Sequence, residues 1–558
     1  MDNVRLFLWV GLGLLLWITV TTWQRDYAPP PVAATAPAAD PAAVDAAPAA
    51  APAADLPELP AMPSPTAEGA PAIPGATISA AAPTPGRTVK VRTDVLEVEI
   101  DLSGGDLRGA QLRDYPKAKD QPDELVELLS QDPARLSVFR AGLRNAAGGP
   151  EATHVSPFQA GQTVYELADG ADELEVPLRF SEGGIIVDKT YRFRRGRYDI
   201  ALSQKVTNNS ADVYGAVPYL QIQRRHVPPD RSMFDVDTYS FIGPVIYDGD
   251  SYDKIDVDDL ADEPFKETIG NGWLAAIQHH FLIAAVPEGE PPSQYTVDFD
   301  GQLFVASAIA GQVAPVAPGA SANFDAKLFV GPKLQGQLEE TAPGLKLTVD
   351  YGALTLLAQP LFWLLDKVYS FVGNWGWTIV MVTFLIKLLF YKLSETSGRS
   401  MAKMRKMQPR MKALQERFKD DREAMSRALM DLYKKEKVNP AAGCLPMLVQ
   451  IPFFIAFYWV LLESVEMRQA PFMLWIQDLS VRDPYFILPL LMGAAMWFQQ
   501  KLNPAPPDPV QAKVMAFLPV VFTGMFAFFP AGLVLYWLTN SLLSMAQQWK
   551  INKAVEAT

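Results

Sequence analysis

A chain of 558 residues is too long for one domain, and its single cysteine, Cys444, excludes an intrachain disulfide and a thiolate metal cluster. The formal net charge of −13 comes mainly from the front two-thirds, while the back third is very apolar and holds one strongly basic stretch, so overall acidity names no partner. The 4 histidines, His154, His226, His279 and His280, show no metal-ligand spacing, and HisHis at 279 and 280 sits in a strand-like run where neighbouring side chains face opposite ways, so no metal is expected.

Residues 1–23 contain the apolar run VRLFLWVGLGLLLWITV, long enough with its flanks to span a bilayer and carrying Trp9, Trp17 and Trp23 for the interfaces. It is either an uncleaved signal anchor or a cleavable signal peptide with A-x-A patterns downstream, and its length and bulk favour the anchor. Residues 24–85 are dominated by Ala and Pro, with nothing large to bury, and form a semi-rigid tether. Over 86–345 the texture changes to period-two alternation, as in TVKVRTDVLEVEIDL, GIIVDKTYRFRR and YDIALSQKVTN, broken by turns such as SGGD and NNSAD. This predicts a large antiparallel β-sandwich. Acidic runs such as YDKIDVDDLADE belong to solvated loops; with no nucleophile-elbow motif and no His/Glu constellation, the domain is not expected to be an enzyme, and no cofactor is implied.

Residues 346–375 hold an amphipathic helix with Leu361, Leu364, Leu365, Val368 and Phe371 on one face and Asp366, Lys367 and Ser370 elsewhere. Trp363 and Tyr369 suit a helix lying in the headgroup plane; the alternative is a helix packed on the sandwich. Five apolar segments follow within 376–558: Gly376–Tyr391, Cys444–Leu462, Tyr485–Gln500, Val514–Phe529 and Gly532–Trp549, making six transmembrane helices with the anchor. The loop within 392–440 is crowded with Lys and Arg and falls on the cytoplasmic side, while the acid-rich 463–483 falls outside. Both termini are then cytoplasmic and the sandwich is periplasmic.

The basic loop reads as a cytoplasmic helical hairpin with Met401, Met404, Met411, Leu414 and Phe418 roughly along one face. Two arms that merely bury each other explain the stripe. The methionines, adaptable to varied apolar partners, together with Lys403, Arg405, Lys406 and Arg410, make a docking surface the sharper reading. Anionic lipid headgroups or RNA phosphates suit that charge, without sequence-specific nucleic acid recognition.

Lys387, in WGWTIVMVTFLIKLLF, is the one charge that needs explaining, because a charged side chain mid-membrane costs at least about 2.5 to 3.5 kcal/mol. Lys392 is only five residues on, so snorkelling to the inner headgroups is one reading. The other is a wet groove open to the cytoplasm, favoured by Thr383 on the same helix face, by Gln450, Thr523, Asn540, Ser544 and Gln547 in neighbouring spans, and by the absence of an acid in any span. Such a groove suits a nascent membrane segment whose hydrophilic flank must cross, since it shortens the dry path and its charge attracts acidic residues. A secondary transporter is the rival class, but the sequence shows no inverted repeat.

The block NPAAGCLPMLVQIPFFIAFYWVLLESVEMRQAPFMLWIQDLSVRDPYFILPLLMG, with SMAKMRKMQPRMKALQERF before it and FPAGLVLYWLTNSLL after it, closely resembles the YidC/Oxa family of inner-membrane insertases. The resemblance is dense over roughly 350–550. It implies a multi-domain membrane protein: an α-helical polytopic core of five helices, preceded by one anchor and a periplasmic β-supersandwich and carrying a cytoplasmic helical hairpin. It also implies a membrane protein insertase and chaperone for nascent membrane-protein clients, acting alone after ribosome or signal-recognition delivery or with the Sec translocon. Lys387 matches the family's groove cation, often an arginine, and Thr383 a groove hydroxyl. Ile451, Phe454 and Tyr536 match the apolar slide for the client, and Trp537 stands where a second tyrosine is common.

Overall fold

The computed structural model describes residues 88–228, 240–261, 264–289, 292–418, 421–436, 445–502 and 509–556. The expected anchor and tether lie outside these residues.

From Thr88 to Pro332 the chain forms two sheets. The eleven-stranded sheet runs Phe265–Ile269, Ser293–Phe299, Leu303–Ala310, Tyr214–Arg225, Ser137–Asn145, Asp106–Ala118, Leu96–Asp101, Thr88–Arg92, Val164–Glu166, with Ala314–Val316 and Gln121–Leu129 pairing off this path. The nine-stranded sheet runs Tyr252–Lys254, Ile242–Tyr247, Trp273–Gln278, Phe281–Pro287, Ser321–Pro332, Asp199–Asn208, Ile185–Arg194, Glu173–Glu182, Gln159–Ala160. Pairing is antiparallel except between Thr88–Arg92 and Val164–Glu166.

Alternation decides which side chains meet between the sheets. In Ile185–Arg194 it turns Ile185, Val187, Tyr191 and Phe193 inward, and in register with them Lys189. The Lys189 ammonium is fully buried and reaches across to the facing sheet, donating to the carbonyls of Gly104 at 2.9 Å and Ala141 at 2.6 Å, with the Asp106 carboxylate at 3.7 Å. Burial pushes Lys189 down to about 8 and raises the Asp106 carboxyl, while each charge opposes the other's shift. One other expectation is corrected. His279 and His280 form the two-residue turn between Trp273–Gln278 and Phe281–Pro287, with His279 at φ 28°, so their rings stack 3.7 Å apart instead of facing opposite ways.

The helical part begins with α1 (Gln335–Thr341), then α2 (Thr355–Val372), α3 (Trp375–Leu389), α4 (Tyr391–Arg417), α5 (Arg422–Lys435), α6 (Leu445–Glu463), α7 (Ile487–Leu502), α8 (Pro509–Phe526) and α9 (Ala531–Glu556). The corner between α2 and α3 is fixed locally. Gly373, at φ 66°, ends α2 in the left-handed region, and Asn374 caps α3 by accepting from the Trp377 amide at 3.0 Å. Helix α2 buries Ala358, Leu361, Phe362 and Leu365 and presents Leu356, Trp363 and Phe371 outward; it packs against α3 and α6. Before α7, Asp483 accepts from the Trp475 indole at 3.0 Å and from the Leu488 amide at 2.7 Å.

Among the described residues no single helix is long and apolar enough to cross a membrane by itself; Trp375–Leu389 and Tyr391–Met411, bent by 70°, pass that test as a pair. The 15 residues of α3 rise only about 22 Å, short of a hydrocarbon core of about 30 Å.

The sandwich meets the helical part around the C-terminal end of α6. The ring nitrogens of His279 and His280 donate to the Leu462 carbonyl at 3.3 and 2.9 Å, and the Ser240 hydroxyl donates to Glu463 at 3.2 Å. Arg468 donates to the carbonyls of Pro116 and Lys117 at 2.8 and 2.9 Å, and Lys119 donates to that of Gln477 at 2.5 Å. These contacts border a cavity of about 1150 Å³.

Candidate functional site

A second cavity, of about 340 Å³, opens inside the helical part between α3, α4, α6, α7, α8 and α9. Its polar wall comes from α9, where Asn540, Ser541, Ser544, Gln547 and Gln548 recur at helical spacing. Lys387, near the end of α3, also lines the cavity, and its ammonium donates to the Ser544 hydroxyl at 2.8 Å. Ser394, Ser397, Gly398 and Met401 of α4 close the end next to the basic helix. No acidic residue lines the cavity among the described residues.

The apolar wall is aromatic. Phe454 of α6 stacks on Tyr536 of α9 at 6.0 Å and meets Trp537 edge-on at 4.5 Å, while Phe457 stacks on the Tyr536 ring at 4.4 Å. Ile451, one helical turn before Phe454, lines the cavity and is 44% exposed. One end of the space is thus hydroxyl and amide, and the other is aromatic and aliphatic.

Of the groove candidates, Lys387, Ile451, Phe454, Tyr536 and Asn540 come together at this cavity. Two threonines do not. Thr383 is 1% exposed, with its hydroxyl donating to the Ile379 carbonyl of its own helix at 2.6 Å. Thr523 likewise donates to Pro519 at 2.6 Å and packs against Gly493. In both, a hydroxyl that reads as a groove group satisfies the carbonyl four residues back. Gln450 lies on α6, but its side chain falls outside the described residues.

The docking candidates on α4 divide. Met401 lines the cavity, and Met404 and Arg405 are half-buried, while Lys403, Lys406 and Arg410 are exposed, Arg410 reaching Glu436 at 2.7 Å. The buried side of α4 is Ser397, Gly398, Ala402, Met407 and Met411, so that of the predicted stripe only Met411 is fully buried. The reason is a partner other than α5. Gly398 sits so close to α9 that a Cβ there would lie 2.7 Å from Ile551 Cδ1, and Gln547 donates to the Tyr391 carbonyl at 3.3 Å. The cavity residues not anticipated are chiefly Ser394, Ser397, Gln499 and Gln500. They sit beside charged residues at helix ends, where the sequence offers no sign that they turn inward.

The chain is similar to known proteins along its length. Residues 88–364 match the family described as YidC periplasmic domain, and residues 367–558 match the 60Kd inner membrane protein family. The chain is 49% identical over 566 residues to a membrane protein insertase YidC of Thioalkalivibrio sulfidiphilus, covering 100% of this chain and 99% of the relative. It is 46% identical over 568 residues to the protein so named in Nitrosococcus oceani, with the same coverage. Among solved structures, an active YidC insertase with its first transmembrane domain resolved covers 83% of this chain and 92% of its own, at 18% identity and a TM-score of 0.38.

Proposed function

The chain belongs to the YidC family of membrane protein insertases of the bacterial inner membrane, a non-enzymatic class with a periplasmic β-domain, and we propose that the cavity around Lys387 is the groove that receives its clients. One observation carries this reading: a lone cation held by a hydroxyl, with no acid beside it among the described residues, faces an aromatic wall across the same space. A hydrophilic flank finds polar partners along α9, and the apolar body of the segment finds Ile451, Phe454 and Tyr536. The passage needs no nucleotide in principle, because burying about 20 apolar residues in lipid is itself strongly favourable.

In this reading six spans, the N-terminal segment included, put both termini in the cytoplasm with the basic helix α4, as the positive-inside rule requires. The outward Lys403, Lys406 and Arg410 make that helix and α5 a cytoplasmic docking hairpin for anionic headgroups or the ribosome, with the signal-recognition machinery and the Sec translocon as transient partners. Outward Leu356, Trp363 and Phe371 set α2 in the outer headgroup layer. The experiment is site-specific crosslinking from Phe454 or Tyr536 during synthesis of a small membrane protein. Capture of the nascent chain is expected; solute uptake without capture assigns the cavity to transport instead.

A further inference from the structure

We propose that Ser544 is a positioning residue for Lys387, and that the strength of this one hydrogen bond sets how strongly the cavity prefers client flanks bearing carboxylates. The inference rests on the cavity being the client groove.

Lys387 and Ser544 belong to different helices, α3 and α9, and they meet at 2.8 Å where both line the space that a client would enter. The direction of this bond is fixed by a second one. The Ser544 hydroxyl donates its only proton to the Asn540 carbonyl, four residues back, at 2.7 Å. Its oxygen therefore offers Lys387 a lone pair, and Lys387 must be the donor. Serine at 544 is an acceptor for an ammonium group.

That arrangement does two things. It holds a side chain with four rotatable bonds against the polar wall, where otherwise it is free to extend toward the inner headgroups near Lys392. It also leaves the charge only weakly compensated, by one dipole and not by an anion, since the described lining residues include no acid. The bond to Ser544 is already assisted by the ammonium charge, but a carboxylate adds the attraction of a full opposite charge, so an incoming carboxylate outcompetes the hydroxyl or joins it. The serine is strong enough to place the cation and weak enough to yield it. An aspartate at 544 would hold the cation permanently, and an alanine would not hold it at all.

The test uses the full-length protein in vesicles and two clients that differ only in the translocated flank, acidic or neutral, with a photo-crosslinker at Phe454 in every variant. The readout is the acidic-to-neutral insertion ratio within each variant, which cancels a general loss of activity. Ser544→Ala is expected to lower the ratio at least about threefold, the lower end of the net worth of one hydrogen bond. Ser544→Thr, which keeps the acceptor, restores it, and Ser544→Asp lowers it further than Ala. In a Lys387→Leu background neither Ala nor Thr changes it. If Phe454 still captures clients while Ala and Asp variants keep the parent ratio, the positioning role is overturned and the groove stands. If Phe454 captures nothing in the parent, both fall together.

Discussion

Thr523 on α8 and Gly493 on α7 lie so close that a Cβ on Gly493 would sit 1.9 Å from the Thr523 hydroxyl oxygen. The hydroxyl is directed back to Pro519, so Thr523 serves the crossing of two helices and not the cavity. Gly493→Val is therefore expected to push α7 and α8 apart and lower stability by roughly 1 to 3 kcal/mol, the usual cost of overpacking. Gly493→Ala combined with Thr523→Ala should lose much less than Gly493→Ala alone, because the hydroxyl and the new methyl no longer compete. Thermal unfolding in detergent decides; equal losses in the single and double variants would show that the backbone, not the hydroxyl, sets the distance.

This pair also marks where the sequence stops being informative. Strand alternation is legible because every second residue of Ile185–Arg194 faces the core. Lys387 and Asn540 stand out as polar residues in apolar spans, whereas Ile451, Phe454 and Tyr536 are reached only through the family resemblance. A threonine in such a span gives the same signal whether it opens to a cavity, as expected for Thr383 and Thr523, or bonds the preceding turn, as it does in both. The register of α4 was equally hidden, since its buried side is chosen by Ile551 and Gln548 of a helix about 150 residues away, not by its own methionines.

Lys387 has one ammonium and no acidic neighbour among the described lining residues, so its loss matters most where a client supplies the missing charge. Lys387→Leu is expected to reduce insertion of clients with acidic translocated flanks about tenfold, while purely apolar clients lose far less. Reconstituted vesicles carrying matched clients give the measurement. An equal loss on both clients would remove the charge from the mechanism.

The sandwich touches the C-terminal end of α6 through His279, His280 and Ser240, whereas the cavity lies among the helices and is lined by no sandwich residue. A chain that keeps Leu345 onward behind its own anchor should retain roughly half or more of the insertion activity of the full protein. Complete loss, with the helical part shown to be correctly inserted, would place essential machinery in the sandwich.

Lys189 and Asp106 tie the two sheets together from fully buried positions. Breaking such a pair on one side typically costs about 3 to 5 kcal/mol, because the remaining charge is stranded. Lys189→Met should therefore destabilise the sandwich by that order, and adding Asp106→Asn should recover part of the loss. Denaturant unfolding of the two single variants and the double variant closes the cycle. Strict additivity would mean that the two charges do not communicate at 3.7 Å.

Glu466 lies in the short turn Val465–Met467 after α6, with its Oε2 buried and without a hydrogen-bond partner. Burial, and secondarily the charge of Asp366 on α2, pushes its carboxyl up from 4.5 to about 7. A carboxyl raised on folding keeps its proton in the folded chain over a range where the unfolded chain has released it. Its contribution is thus fully present below about 4.5 and is lost as pH rises through about 7. The full protein in detergent should lose melting temperature between about pH 5 and about pH 8 in part through this residue. Glu466→Gln, which carries no charge to bury, should flatten that slope and be the more stable form at about pH 8, by roughly 3 kcal/mol. At about pH 4, where the native carboxyl is protonated in both states, the two should melt alike. A glutamine variant that instead melts lower at about pH 8 would mean that the ionised carboxylate is stabilised in the folded chain, reversing the sign assigned to Glu466.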